Sequence, residues 1–163
     1  MPASDTATSI TQIGKADLFL ADGTSAGTAA ILTDDGAVTL TVDAKNLPSG
    51  PHGFHLHQTG RCEAPDFASA GGHLNPLDKT HGSLSEDGSH VGDLPNLDIT
   101  EDGTGTLNAP LQGSTDELTT WLHDEDGTAV MIHVDADDYI TDPTGNAGSR
   151  LACGILRVSD NPD

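Results

Sequence analysis

The chain has 163 residues, of which 34% are hydrophobic and 3% aromatic, enough for one domain with a core of Val, Ile, Leu and Ala. Twenty-six acidic residues against six basic ones give a formal net charge of −20, which excludes nucleic acids and anionic membranes as expected partners. No run of 18 or more apolar residues is present, so no membrane span is expected.

Short strands separated by tight turns are predicted along most of the chain. Apolar and polar residues alternate within the strands, and turn-forming Asp-Gly pairs begin at Asp22, Asp35, Asp87, Asp102 and Asp126. The predicted strands cover residues 15–20, 27–33, 37–43, 94–99, 105–110, 129–134 and 152–158, with a further strand at the histidine pair 55 and 57. About eight strands predict an all-β sandwich or barrel, with one helical turn near 116–122.

Two long connections interrupt this pattern, at residues 60–89 and 135–151. Loops of this length inside a compact domain are usually functional, and these two contain or flank histidines. We expect a single domain over residues 14–159 that follows a flexible N-terminal segment, residues 1–13.

Seven residues of metal-ligand type are the main chemical feature of the sequence. They are His55, His57, His73, His81, His90, Asp93 and His133. In a strand, His55 and His57 point to one face about 6–7 Å apart, so both rings can bind one ion. The next four residues lie in a segment rich in Gly, Pro, Asn and Ser that can fold around a metal. Seven ligands exceed the four of a tetrahedral ion and predict two metals. His123 stands apart, and we interpret it as an ordinary structural residue.

Four separated motifs resemble the copper/zinc superoxide dismutase family. They are GPHGFHLH at 50–57, SAGGHLNP at 69–76, HVGDL at 90–94 and TGNAGSRLACG at 144–154. The resemblance extends from residue 16 to residue 158, and the position of Cys62 is similar to that in the bacterial branch. It implies an eight-stranded Greek-key β-barrel or sandwich and an enzyme that converts superoxide to oxygen and hydrogen peroxide.

The resemblance also implies one copper and one zinc ion per chain. Copper would be bound by His55, His57, His73 and His133, and zinc by His73, His81, His90 and Asp93. Four imidazoles suit Cu(II), whereas three imidazoles and a carboxylate make a closed, structural zinc site. His73 would be shared by both metals and would supply a proton during turnover.

Residues beside the ligands receive roles from the same resemblance. Asp137 would join a copper histidine to a zinc histidine. Arg150 would hold the anionic substrate by a charge-assisted hydrogen bond, and Thr144 would line the channel wall opposite. His52 would be a structural histidine and not a ligand. Ala68 departs from the pattern, because many bacterial relatives carry Lys there.

The two cysteines, Cys62 and Cys153, fit a disulfide, two free thiols or metal ligands when judged by their number alone. The resemblance favours a disulfide between the metal loop and the last strand, which implies an oxidising compartment. Residues 1–12 lack the features of a signal peptide, so either a signal peptide has been removed or the protein stays inside the cell. The disulfide favours removal, and we therefore expect a periplasmic or extracellular protein. The Asp-rich, Lys-poor composition predicts an acidic surface and a halophilic source.

Three other classes of protein compete with the enzyme. A copper-binding or delivery module of the same fold is the main alternative, but such domains lack part of the copper set, which is complete here. A copper electron-transfer protein needs a thiolate ligand and usually an axial Met. A zinc hydrolase needs an open zinc position, whereas the set of three histidines and one aspartate that the resemblance implies is closed. Superoxide is the expected partner, and the sequence does not decide whether the protein forms a homodimer.

Overall fold

Ten strands and one helix make up the regular structure of residues 10–158, the part of the chain that the computed structural model describes. The strands are β1 (Thr11–Leu20), β2 (Ser25–Asp34), β3 (Ala37–Ala44), β4 (Gly50–His52), β5 (Phe54–His57), β6 (Leu97–Ile99), β7 (Gly105–Pro110), β8 (Ala129–His133), β9 (Arg150–Ile155) and β10 (Arg157–Val158). The helix α1 covers Thr115–Leu122, and a short 3-10 turn covers Ala68–Ala70. No helix within residues 10–158 is long and apolar enough to span a membrane.

Antiparallel pairing joins the strands into two sheets. The large sheet follows the order β5-β8-β9-β1-β2-β3-β7, with β10 paired to β1, and the small sheet pairs β4 with β6. Neighbours such as β3 and β7 are distant in the chain, so long connections link them, as in a Greek key. The prediction of an all-β sandwich or barrel is confirmed.

The ten observed strands correspond to the eight predicted ones because two strands are interrupted. Gly53 separates β4 from β5, and here the chain passes from the small sheet to the large one. An added Cβ at Gly53 would lie 2.7 Å from the Cβ of Ala147, so a side chain at this position would displace the loop before β9. Leu156, which is buried, separates β9 from β10. Each interrupted pair, counted as one strand, gives a total of eight.

The main hydrophobic core lies against one face of the large sheet. Alternate residues of β1 and β2 point into it, and Leu18 and Ile31 among them have no exposed surface. Phe54 and Leu56 of β5 join the same core, so the alternation of that strand sends its two histidines to the opposite face. Burial contributes about 1.5–3 kcal/mol for each large apolar side chain. The core therefore fixes the strand that carries the histidine pair.

A smaller apolar cluster lies between β8, β9 and the loop after β5. Its buried members are Phe67, Ala70, Ala129, Met131 and Cys153. Cys62 packs against this cluster and forms a disulfide with Cys153, with their Cα atoms 5.7 Å apart. The predicted disulfide is therefore confirmed, and it fastens the long loop to β9.

Several boundaries differ from the sequence-based predictions. β1 begins at Thr11, so residues 11–13 of the predicted N-terminal segment lie in a strand, whereas residues 1–9 and 159 are outside the described part of the chain. β6 begins only at Leu97, because the three preceding residues belong to the loop. The Asp-Gly pair at Asp87 was wrongly placed at a strand boundary and lies inside that loop.

The helix α1 is more regular than the predicted turn. The Ser114 hydroxyl accepts a hydrogen bond from the Glu117 N–H, and the Glu117 carboxylate accepts one from the Ser114 N–H. This capping box satisfies two N–H groups at the start of the helix, and Leu118 and Leu122 bury its inner face.

Candidate metal centre

Two loop segments lie along β5 and bring further ligands to its histidine pair. Leu56 accepts a hydrogen bond from the Leu74 N–H at 2.8 Å and donates its own N–H to the Gly92 carbonyl at 2.9 Å. These bonds fix the residues next to Leu74 and Gly92, which are His73 and Asp93. The backbone of β5 thus determines where the loop ligands lie.

Four buried ring nitrogens converge close to the end of β8. Among the described residues they have no hydrogen-bond partner, and they are Nδ1 of His55 and Nε2 of His57, His73 and His133. One nitrogen of each ring lies within 4.8 Å of one nitrogen of every other ring. An unpaired buried polar atom costs roughly 1–3 kcal/mol, so four together indicate a ligand that bonds to all of them. Four imidazole nitrogens at this spacing fit a copper ion.

Acceptor groups occupy the second nitrogen of three of these rings. The contacts are His55 Nε2 to Asp137 Oδ2 at 2.6 Å, His57 Nδ1 to Gly71 O at 2.8 Å, and His133 Nδ1 to Gly148 O at 3.1 Å. Carboxylate and carbonyl oxygens only accept, so these nitrogens carry the ring proton. The opposite nitrogen of each neutral ring therefore has a free lone pair for a metal.

A second cluster surrounds one carboxylate oxygen of Asp93. Its Oδ1 lies 2.8 Å from Nδ1 of His73, 2.9 Å from Nδ1 of His81 and 3.2 Å from Nδ1 of His90. Ligands about 2.0–2.2 Å from a tetrahedral zinc ion are roughly 3.3 Å from one another, so these spacings fit a closed zinc site. His55 also comes within ligand distance of this cluster. However, Nδ1 of His55 is one of the unpartnered nitrogens of the first cluster, which consists of His55, His57, His73 and His133, and Nε2 of His55 bonds to Asp137. His90 is therefore the better fourth member of the second cluster.

The ring of His73 belongs to both clusters. Its Nδ1 lies among the atoms of the second cluster, 3.2 Å from Nδ1 of His90, and its Nε2 is one of the four unpartnered nitrogens. The ring centroids of His73 and His55 are 4.0 Å apart. A single imidazole therefore separates the two clusters and can serve both.

Asp137 joins the clusters from the side of the second long loop. Its Oδ2 accepts from His55, and its Oδ1 accepts from Nε2 of His81 at 2.8 Å. The Tyr139 N–H donates to Oδ1 at 2.7 Å, and Asn96 bonds to the Asp137 backbone in both directions, at 2.8 and 3.0 Å. The position of this carboxylate is therefore fixed by backbone and side-chain contacts.

Asp137 thus forms a bridge between His55 and His81, and three residues that support this bridge were not identified from the sequence. Asn96 holds the Asp137 backbone, and Asp142 accepts a hydrogen bond from the His81 N–H at 2.9 Å. Gly145 has φ +74, and a Cβ there would lie 1.9 Å from Asp137 Oδ1 and 2.6 Å from His81 Nε2. Gly145 lies in a family motif, which was an available signal, but nothing in the polar loop distinguishes Asn96.

Burial keeps the rings of the first cluster neutral. Loss of solvent lowers the pKa of His55 to about 3 and that of His133 to about 4. The same cause lowers the pKa of His57 and of His73. Burial also acts against the charged form of His81, but hydrogen bonds to two carboxylates outweigh it and raise its pKa to about 9. Neutral imidazoles are the form that binds metals.

Arg150 lies at the start of β9, beside the first cluster. Its Nη1 donates to the Phe67 carbonyl and its Nη2 to the Gly71 carbonyl, both at 2.8 Å. The Gly71 carbonyl also accepts from His57, so one oxygen joins the arginine to a ring of the cluster. Burial lowers the pKa of Arg150, and the nearby Asp66 carboxylate acts in the opposite direction. The half-buried Arg150 lines a surface depression of about 440 Å³.

The remaining predicted residues lie around these groups. His52 is buried, and its Nδ1 lies 2.8 Å from the carbonyl oxygen of His133, so it contacts the backbone of the first cluster without joining either set. Thr144 is half-buried in the loop before β9. His123 belongs to neither cluster, and its Nε2 lies 3.0 Å from a carbonyl oxygen of β1.

Comparisons with known proteins agree with this geometry. A family model described as copper/zinc superoxide dismutase (SODC) matches residues 25–156. The Cu-Zn superoxide dismutase 1 of Aquifex aeolicus is 39% identical over 145 residues, which cover 87% of this chain and 86% of that protein. The Cu-Zn superoxide dismutase of Caulobacter vibrioides is 37% identical over 142 residues, which cover 83% and 80%. The crystal structure of a SOD-like protein from Bacillus subtilis superposes with a TM-score of 0.82 at 38% identity, covering 90% of this chain and 100% of that one. The chain therefore belongs to the copper/zinc superoxide dismutase family, as its four motifs predict.

Proposed function

We propose that this protein is a superoxide dismutase, which converts two superoxide anions and two protons into dioxygen and hydrogen peroxide. The observation that carries the proposal is a group of four histidines whose ligand atoms lie within 4.8 Å of one another, each with a buried ring nitrogen that has no hydrogen-bond partner among the described residues. Membership of the family supports it, as do the Cu-Zn superoxide dismutases at 37% and 39% identity.

One copper and one zinc ion per chain would be held by the two clusters. Copper is assigned to His55, His57, His73 and His133, and zinc to His73, His81, His90 and Asp93. Four neutral imidazoles are a donor set that suits Cu(II). Three imidazoles and a carboxylate leave no open position for substrate, so the zinc site is structural.

The protein supplies an anion-binding group and a proton to the reaction. Bound copper provides the one-electron redox couple. Arg150 uses two of its five N–H donors on backbone carbonyls of the described residues, and we assign the remaining donors to a superoxide anion in the depression. Nε2 of His73, the atom that faces the first cluster, would hold the proton whenever it is not bound to copper. Because the second cluster holds its Nδ1, the ring keeps its orientation while Nε2 gains and loses a proton.

Three further residues keep this arrangement in place. Asp137 fixes the tautomers of a copper histidine and a zinc histidine through its two oxygens. His52 supports the backbone of His133. From the family motif that contains it, we propose that Thr144 lines the wall of the substrate channel opposite Arg150.

A copper-binding or delivery module without dismutase activity is the alternative within this fold. Such a module needs no group that binds a small anion. The complete set of four ring nitrogens beside Arg150, which opens into a depression, favours the enzyme.

We further propose that the protein acts in the periplasm or outside the cell, after removal of a signal peptide. The Cys62–Cys153 disulfide supports this location, because disulfides persist in oxidising compartments. We also propose that the excess of Asp forms an acidic surface suited to a halophilic source, since high salt screens the repulsion between the acids.

We propose that residues 14–159, together with residues 11–13 at the start of β1, act as one domain, and a homodimer is the oligomeric state that we propose for testing. Exposed apolar side chains such as Leu84 and Ile140 offer a surface for such pairing. Sedimentation analysis over a range of protein and salt concentrations distinguishes a dimer from a monomer.

Reconstitution of the metal-free protein tests the proposed activity. The protein is loaded with zinc alone, copper alone or both, and its metal content is measured beside its rate of superoxide dismutation. We expect full activity with both metals and none without copper. A fully loaded protein without activity would leave the copper-delivery alternative, and activity in copper-free protein would overturn the proposal.

A further inference from the structure

The loop that holds Arg150 carries an acidic side chain at its edge. The Phe67 and Gly71 carbonyls accept hydrogen bonds from the guanidinium at 2.8 Å. Asp66 directly precedes Phe67, and its Oδ1 accepts a hydrogen bond from the Ala68 N–H at 3.1 Å. The carboxylate is thereby fixed beside the segment that anchors the arginine.

Asp66 and Arg150 also line the same surface depression. This depression has a volume of about 440 Å³ and is lined by Pro65, Asp66, Ala68, Gly148, Ser149 and Arg150. Among the described residues that line it, Arg150 is the only cation and Asp66 the only anion. The electrostatic effect of Asp66 on Arg150 has the sign of an attraction between the two side chains. An anion that approaches Arg150 through this depression meets the field of both.

We propose that Asp66 sets the rate at which the anionic substrate is captured, because its negative charge opposes the attraction of Arg150 at the mouth of the depression. Asp66 is a positioning residue, since it acts through Arg150 and does not touch the reacting atoms. The inference rests on the proposed role of Arg150 as the anion-binding group. A second effect is expected from its hydrogen bond, which keeps the Phe67 carbonyl in place for the guanidinium.

Charge and hydrogen bond can be separated by two substitutions. Asp66→Asn removes the charge but keeps an oxygen that accepts from the Ala68 N–H, whereas Asp66→Ala removes both. Asp35→Asn is the matched control, because Asp35 is an exposed acid in the β2–β3 turn and does not line the depression. Both Asn variants change the net charge by the same amount.

Two readouts are measured on the copper- and zinc-loaded proteins from low salt to about 1 M. One is the second-order rate constant for superoxide dismutation. The other is the affinity for azide, a small anion of the same charge, followed by the visible absorption of the copper. At low salt Asp66→Asn should raise both by about threefold, the effect of one charge at roughly 6 Å in water. The gain should vanish near 1 M salt, where the Debye length is about 3 Å.

The control and the alanine variant complete the test. Asp35→Asn should give a much smaller gain at low salt, and Asp66→Ala should be slower than Asp66→Asn at 1 M salt. Equal gains in the two Asn variants, or a gain that persists at 1 M, would overturn the local role of Asp66. Equal rates for Asp66→Asn and Asp66→Ala at 1 M salt would contradict the claim that the Asp66 hydrogen bond keeps the Phe67 carbonyl in place.

The failure of this inference differs from the failure of the proposed function. If the loaded parent protein does not dismutate superoxide, the proposed function fails, and the azide titrations still decide the role of Asp66. If the parent is active and Asp66→Asn changes neither readout, only the inference about Asp66 fails.

Discussion

The carboxylate of Asp137 joins His55 to His81, with Oδ2 2.6 Å from Nε2 of the first ring and Oδ1 2.8 Å from Nε2 of the second. The two rings belong to different clusters, so a change at this one side chain reaches both. Because both oxygens accept a ring N–H, Asp137 determines which nitrogen of each ring is left for a metal.

Asp137→Asn should weaken metal binding. The amide nitrogen cannot accept a hydrogen bond, so either His55 or His81 loses its partner. We expect the affinity for at least one metal to fall by about 10–100-fold, as measured by competition with a chelator. Asp138→Asn is the neighbouring control, because among residues 10–158 the hydrogen bonds of the Asp138 side chain are those to Ile140 and Thr141 in its own turn. Unchanged affinity for both metals in Asp137→Asn would contradict the bridging role.

Gly145→Ala should damage the same bridge by steric contact. The added Cβ would lie 1.9 Å from Asp137 Oδ1. Gly23→Ala is a matched control, since Gly23 also has positive φ but has no atom within 4 Å of the added Cβ. Backbone strain should lower the free energy of unfolding of the control by about 1 kcal/mol. We expect a larger loss, together with weaker zinc retention, in Gly145→Ala, and equal losses in both variants would disprove the steric argument.

The disulfide should contribute strongly to stability because it closes a long loop. Cys62 and Cys153 are 91 residues apart, for which the chain-entropy model gives about 4.6 kcal/mol. Urea unfolding of the metal-free parent and of the Cys62→Ser, Cys153→Ser double variant measures the difference. The parent treated with a reductant serves as a control for the substitutions. A loss below about 1 kcal/mol would show that the loop is already restrained in the unfolded chain.

Dismutation should become faster, or stay constant, as salt increases. A net charge of −20 repels superoxide at low ionic strength, and salt screens that repulsion. The loop from Asp135 to Arg150 carries no Lys, and Ala68 adds no cation to the depression, so local steering is weak. The test is the second-order rate constant from low to molar salt at fixed pH. A steep fall with salt would mean that a local positive field outweighs the acidic surface.

Local patterns predicted much of the fold because turns and strands depend on neighbouring residues. The predicted strand at 105–110 has the bounds of β7, and the Asp-Gly pairs at Asp22, Asp35 and Asp102 do lie between strands. The need for a glycine at position 53 was not predictable, because it comes from the close approach of Ala147, which is distant in the chain.

The residues of the candidate site were likewise predictable only in part. The histidines and Asp93 stand out because they lie in recognisable motifs. Asn96 and Asp66 do not stand out, because a polar residue in a polar loop is ordinary until its distant partner is known. Asn96 meets Asp137 across 41 residues, a contact that only the folded chain creates.

The most direct test of the account is the metal content and dismutation activity of His133→Ala beside the parent protein. His133 contributes one of the four unpartnered nitrogens and has no contact with Asp93 among its described hydrogen bonds. The parent should contain one copper and one zinc per chain. The variant should keep zinc, lose tightly bound copper and have no dismutase activity. Full activity in the variant, or loss of zinc with copper retained, would contradict the assignment of the two sites.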